Sequence, residues 1–264
     1  MLAPQRGLPF DASSDTVQRM FEIAGDDRPD AAILVGQFSQ RAYFERVRAI
    51  WPGAREVEAH SLLVEEGGQN IWISVVIGAA MAATFAHLAV KIGARALVQV
   101  GSMGGLVDGW HPGDVLVPSL VVGRDGVSRQ LSRNKPIEPD ARLSAALCDE
   151  LVLRLDRATV RPGTLVTTTT ISFERSSDVA RWRCSGYVGV EMECAATIGT
   201  AAHFGVPAAG AFVLMDNLAS GQTVLMLSEE DNRRIEIGKD VILRAFVAAA
   251  WGLVATRDNG LAQR

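Results

Sequence analysis

The chain predicts one α/β domain, and three observations carry that expectation. Short apolar runs of strand length recur along it, at Ala31–Gly36, Asn70–Gly78, Ala96–Gly101, Val115–Val122 and Val206–Leu214. Runs that are mostly apolar, and not merely on alternate positions, suit strands buried on both faces. Between them lie longer stretches with helical spacing, so strand alternates with helix and the sheet is expected to carry helices on both faces. The 264 residues suffice for one large domain.

Each element has a local reason. Residues 1–29 are polar and mixed, with a short helix expected around Thr16–Ile23, and form an N-terminal extension to a domain spanning 30–258, followed by a tail at 259–264. Ala31–Gly36 is the first buried strand. Arg41–Ile50 has helical spacing and is stopped by Trp51-Pro52-Gly53. Met81–Gly93 is a helix closed by Gly93. The segment Val100-Gly101-Ser102-Met103-Gly104-Gly105 reads as a glycine-rich turn after the strand Ala96–Gly101. His111-Pro112-Gly113-Asp114 turns into Val115–Val122, and Arg124–Pro139 reads as a polar loop. Ala141–Leu155 is an amphipathic helix; Gly163–Thr170 and Gly186–Val190 are strands around a charged loop from Glu174 to Arg183. After Val206–Leu214, a helix over Ser228–Ala255 is expected, with Ser228 and Asp231 at capping spacing.

Composition removes several function classes. A formal charge of −4 and a pI near 5.6, with no basic stripe, give nucleic-acid or membrane-surface binding little support. The N-terminus has charges scattered through it and lacks the apolar core of a signal peptide or membrane span. Cys148, Cys184 and Cys194 are an odd number without paired or metal-ligand spacing, so they read as reduced thiols of a cytoplasmic protein. The four histidines show no metal-ligand spacing either; no metal is expected. His87 and His203 lie in helices and read as structural, while His60 falls near a candidate subunit boundary.

The most informative stretch is Val188–Ala196, Val-Gly-Val-Glu-Met-Glu-Cys-Ala-Ala. Glu191 and Glu193 stand two apart at a strand end and so point to one side. Ligands of open α/β sheets bind at the carboxyl ends of strands, and a carboxylate accepts hydrogen bonds from vicinal hydroxyls. The alternative is that both acids only charge the first turn of the following helix. Asp216 closes another apolar run and is placed at a strand mouth, where an acid either serves a ligand or caps the next turn.

Four ordered segments resemble the nucleoside phosphorylase and nucleosidase superfamily: Asp30–Ala42, Gly78–Gly105, the Glu-Met-Glu stretch, and Ala208–Asn217 with its terminal acid. The resemblance implies a mixed, twisted central sheet, a homo-oligomer (dimer or hexamer), a nucleoside and phosphate as small-molecule partners, and no cofactor beyond phosphate as co-substrate. It makes Glu193 the ligand of the ribose hydroxyls, with Glu191 beside it, Met192 and Met81 against the sugar, and Val190 near the base. Phe173, or alternatively Ile171, takes the place of an aromatic that stacks on the base. Asp216 would assist the departing purine, with Arg233 as its candidate helper, and proton donation of this kind gives about 10²–10⁴-fold. Arg41, Gly36, Gly101 and Ser102 fall where the family holds phosphate.

Two positions depart from the family pattern. An arginine expected three residues before Ser102 is Gln99, which brings no charge. The glutamate that activates water in the hydrolytic branch is Gln40 or Ser39, and an amide is no general base. Three functions therefore follow as expectations: phosphorolysis of a purine-type nucleoside, phosphate-independent hydrolysis, and nucleoside binding without turnover. An unusual or 5′-modified nucleoside would also suit the altered anion site.

Overall fold

The computed structural model describes residues 13–20, 25–57, 61–109, 111–156 and 159–261, the stretch from 251 onward as backbone alone. Among the described residues, nine strands form a single mixed sheet: β1 (Ala31–Gly36), β2 (Arg55–Glu56), β3 (Ser61–Glu66), β4 (Gln69–Val76), β5 (Leu97–Gly105), β6 (Val115–Gly123), β7 (Val160–Thr167), β8 (Gly189–Glu191) and β9 (Ala208–Asn217). Their order is β2-β3-β4-β1-β5-β8-β7-β6-β9, and β9 also pairs with β5. That last pairing closes β5, β8, β7, β6 and β9 into a ring, which leaves no free edge on that side.

Helices cover both faces, as the alternation predicts. One apolar core takes Tyr43, Phe44 and Val47 from α2 (Gln40–Ile50), and Leu143, Leu147 and Leu151 from α5 (Ala141–Arg154). Ile235, Leu243 and Phe246 of α8 (Glu229–Leu261) complete it. The opposite core is built from Val17 of α1 (Ser14–Met20), from α3 (Gly78–Ile92) and from α7 (Cys194–His203). Small residues dominate there: Ala82, Ala86 and Ala89 meet a helix buried nearly end to end. Among the described residues, no helix is long and apolar enough to cross a membrane.

Several local expectations are corrected. Ser61–Glu66 is a strand, paired antiparallel with β4 around Gly67-Gly68, whose φ of 57° and 76° fit a two-residue hairpin turn. The polar stretch 124–139 contains α4 (Gly126–Ser132), started by the Asp125 carboxylate on the Ser128 N–H at 2.8 Å. The charged loop contains α6 (Ser176–Cys184), started by Asp178 on the Arg175 N–H. The glycine-rich turn is instead the last part of β5, extended through Gly105, with a register shift between Met103 and Gly104. Val17 packs into the core, so the N-terminal extension is docked on the domain at α1. His60 lies outside the described residues, as does the end of the tail at 262–264.

Candidate active site

Parallel pairing brings Gly36 and Val76, the last residues of β1 and β4, level with Gly101 in the middle of β5. A second row crosses the closed part of the sheet, where Asp216 on β9 pairs with Gly104 on β5, Gly104 with Val190 on β8, and Val190 with Val166 on β7. The glycines matter here for closeness. A Cβ on Gly104 would lie 3.0 Å from Leu218 Cδ1, and one on Gly105 would lie 2.7 Å from Leu214 Cδ1.

The two glutamates do different things. Glu191 Oε2 accepts the backbone N–H groups of Glu193 and Cys194, both at 2.7 Å, and so caps the N-terminus of α7. Its other oxygen accepts the Thr167 hydroxyl, whose own oxygen accepts the Ala195 N–H at 2.9 Å. Glu193 turns away from that helix. Its Oε1 accepts the Gly78 N–H at 2.6 Å, at the start of α3, where no side chain of that segment caps the helix. Its Oε2 faces Gly36, so closely that a Cβ there would lie 2.6 Å away. Burial pushes Glu191 up to about 8, helped by the Glu193 charge, while the hydrogen bonds from Thr167 and the backbone pull it back. Burial likewise raises Glu193 to about 7 against the opposing bonds from Gly78 and Met192. The helix-charging alternative thus describes Glu191, whereas Glu193 is held toward the strand ends.

Gln99 is fully buried on the Glu193 side of β5. Its Oε1 accepts the Thr197 hydroxyl at 2.6 Å, and its Nε2 donates to Val100 O at 3.3 Å. Ser102 lies on the other face of the strand. With Gly36, Gly101, Tyr43 and Lys239 it lines a water-sized cavity of about 10 Å³. Lys239 donates to Glu236 at 2.9 Å, and its ammonium is pushed down by burial and by Arg46. Sequence reasoning missed Lys239, since a lysine on an amphipathic terminal helix carries no signal of its own.

Asp216 is half-buried, and burial raises its pKa while the Val224 N–H pulls it down. Beside it stands Glu174, also missed from sequence. Burial, then the Asp216 and Asp178 charges, push Glu174 up to about 7. Two cavities open at this end, one of about 410 Å³ lined by Thr168–Thr170, Phe173 and Glu174, the other of about 510 Å³ lined by Ile171, Glu174, Leu218 and Thr223. Phe173 and Ile171 are exposed at their rims. Met192 and Met81 are partly buried, Met81 against the α3–α7 core, and Val190 packs with Leu106, Val166 and Trp182. Arg41 and Arg233 are not brought inward: Arg41 pairs with Glu45 at 3.0 Å with its side chain 92% exposed, and Arg233 pairs with Glu230 on the surface of α8.

Buried paired acids, the strand-end glycines and the closed sheet together define a phosphorylase-type α/β protein. The chain belongs to the Phosphorylase superfamily, whose sequence profile matches residues 23–248. Among solved structures it is similar to purine nucleoside phosphorylase from Toxoplasma gondii in complex with immucillin-H, with 17% identity, a TM-score of 0.75, and coverage of 96% of this chain and 99% of that one. None of the curated protein sequences compared with the chain matches it.

Proposed function

We propose that the protein cleaves the N-glycosidic bond of a purine-type nucleoside with phosphate as nucleophile, giving free base and ribose 1-phosphate. The observation that carries this is the row Asp216–Gly104–Val190 with Glu193 held nearby by Gly78. In this reading the base lies over Val190 and Gly104, with Phe173 or Ile171 over it, and Asp216 protonates or hydrogen-bonds N7 as negative charge builds on the base. Its raised pKa favours the proton-bearing form that such a role needs. Glu193 accepts the ribose hydroxyls, and Met192 and Met81 pack on the sugar. The anion sits at the end of β1, against Gly101 and Ser102 within β5. Lys239 supplies positive charge there that Gln99 does not, and Arg41 and Arg233 act only after leaving their surface partners. Catalysis is electrostatic, stabilising the leaving base and the attacking anion around a cationic sugar. The protein works as a cytoplasmic homo-oligomer.

Hydrolysis is the second reading, favoured by one observation: Gln99 is neutral and already engaged by Thr197. Product analysis separates the two. Phosphorus NMR of a reaction containing inosine and phosphate shows ribose 1-phosphate under the first reading. It shows unchanged phosphate, with free ribose accumulating, under the second.

A further inference from the structure

Donors dominate the polar wall of the 410 Å³ cavity between α4, α6 and the segment after β7, and nucleoside cleavage gives them nothing to do. Arg124 follows β6, Arg129 stands on α4 and Arg181 on α6, so three elements each send an arginine to one space. The backbone fixes the first of them: the Arg124 N–H donates to Thr167 O at 2.8 Å, which sets Arg124 beside Thr168 and Thr169. Its guanidinium donates to the Tyr187 hydroxyl at 3.0 Å, a bond that brings no counter-charge. Among the described residues, no carboxylate pairs with Arg129, and the hydroxyls of Thr168 and Thr169 have no hydrogen-bond partner. Two acids also line the space. Asp178 is taken up by Arg181. Glu174 is pushed up to about 7 by burial, then by Asp216 and Asp178, so near neutral pH it carries about half a charge. The balance stays positive.

We propose that this cavity is an anion site that binds a phosphoryl group, held by Arg124 and Arg129 together with the hydroxyls of Thr168 and Thr169. A phosphate monoester carries a charge of about −1.5 to −2 near pH 7, and its terminal oxygens are all strong acceptors. Guanidinium groups meet such oxygens with paired N–H donors, and charge-assisted bonds of this kind are about twice as strong as neutral ones. A carboxylate, with one charge and one oxygen fewer, would leave part of this donor set unmatched. The volume bears on the carrier of the phosphoryl group. Small-molecule sites usually measure about 300–1,000 Å³, so 410 Å³ suits an organic phosphate better than a lone ion. Phe173 and Trp182 give its organic part an apolar wall. The site is separate from the anion cavity of the cleavage reaction: this one is built beyond β6 and β7, that one on β1 and β5 at Gly36 and Ser102. It therefore stands whether or not the chain cleaves nucleosides.

Calorimetric titration with phenyl phosphate, phenol and inorganic phosphate tests this on wild type, Arg129→Glu, Arg124→Gln and Ser102→Ala. Arg129 is exposed on α4, so its replacement leaves the fold intact, which an unchanged thermal midpoint checks. Phenyl phosphate is expected to bind wild type and phenol not to, with an affinity that falls on adding sodium chloride. Arg129→Glu weakens phenyl phosphate by about tenfold or more, Arg124→Gln weakens it as well, and Ser102→Ala leaves it unchanged. Inorganic phosphate shows the same dependence on Arg129. If it binds more weakly than phenyl phosphate, the phosphoryl group comes from an organic ester; if equally tightly, from free phosphate. Equal affinity of wild type and Arg129→Glu for phenyl phosphate overturns the proposal. So does binding that Ser102→Ala abolishes, which would put the anion in the other cavity, and so does a wild type that binds neither phosphate.

Discussion

Gly36 and Glu193 occupy the same small space, and that closeness makes a test at the scale of one residue. A methyl on Gly36 would sit 2.6 Å from Glu193 Oε2 and force the carboxylate off the Gly78 N–H. Gly36→Ala is expected to lower kcat/KM for nucleoside cleavage by about 10²-fold, the usual cost of misplacing a positioning group by an ångström. Activity within threefold of wild type would contradict the role given to Glu193. The glutamate pair also sets a pH dependence. Both acids titrate well above the usual 4.5 in the folded protein, near 8 and 7, so folding takes up protons between those limits. Their contribution to stability is complete below about pH 4.5 and is lost as pH rises through about 7 to 8. Thermal unfolding midpoints from pH 5 to 8.5 should fall in wild type and fall less in Glu191→Gln; parallel curves would refute this. From sequence, the spacing of Glu191 and Glu193 showed that both sit at a strand end. It did not show that one caps α7 and the other caps α3, because the second partner, Gly78, is 115 residues away.

Elements were legible where one short signal decided them and obscure where tertiary contacts did. The Ser228–Asp231 pair starts α8 as its spacing predicts, the two side chains exchanging bonds with each other's backbone N–H groups at 3.0 and 3.1 Å. The β3–β4 hairpin carried an equally local signal in Gly67-Gly68 after an apolar run, which the strand assignment passed over. Glycine at 101, 104 and 105 suggested a turn, yet the chain stays extended. Its reason is the close approach of Gly36, Leu218 and Leu214 from other strands and loops, which no local window reveals. The joint between β7 and α7 offers an element-scale test. Thr167 is buried and bridges Glu191 to the Ala195 N–H. Thr167→Val keeps the shape and leaves that N–H unmatched, so denaturant unfolding should show a loss of about 1–3 kcal/mol. A loss below about 0.5 kcal/mol would mean that water or another group replaces the hydroxyl.

At the scale of the whole molecule, helix and strand alternation gave the layered architecture, and resemblance gave the mixed sheet. Closure of the ring through β5 and β9 joins strands about a hundred residues apart and left no mark in the pattern. Seven apolar side chains stay exposed on the loops that follow β1, β4, β7 and β9: Phe38, Ile77, Ile171, Phe173, Val224, Leu225 and Met226. Apolar exposure concentrated at one end of a protein marks a contact surface. Light scattering should therefore give a mass that is a multiple of the 28.3 kDa chain, and a strictly monomeric protein across micromolar concentrations would count against assembly at that end. The central claim is purine release driven by Asp216 with phosphate as nucleophile. Its most direct test is release of base from a panel of purine nucleosides, with and without phosphate, by wild type and Asp216→Asn. The account predicts release that requires phosphate and falls about 10²–10⁴-fold in the variant. Release indifferent to phosphate, or an Asp216→Asn variant as fast as wild type, would contradict it.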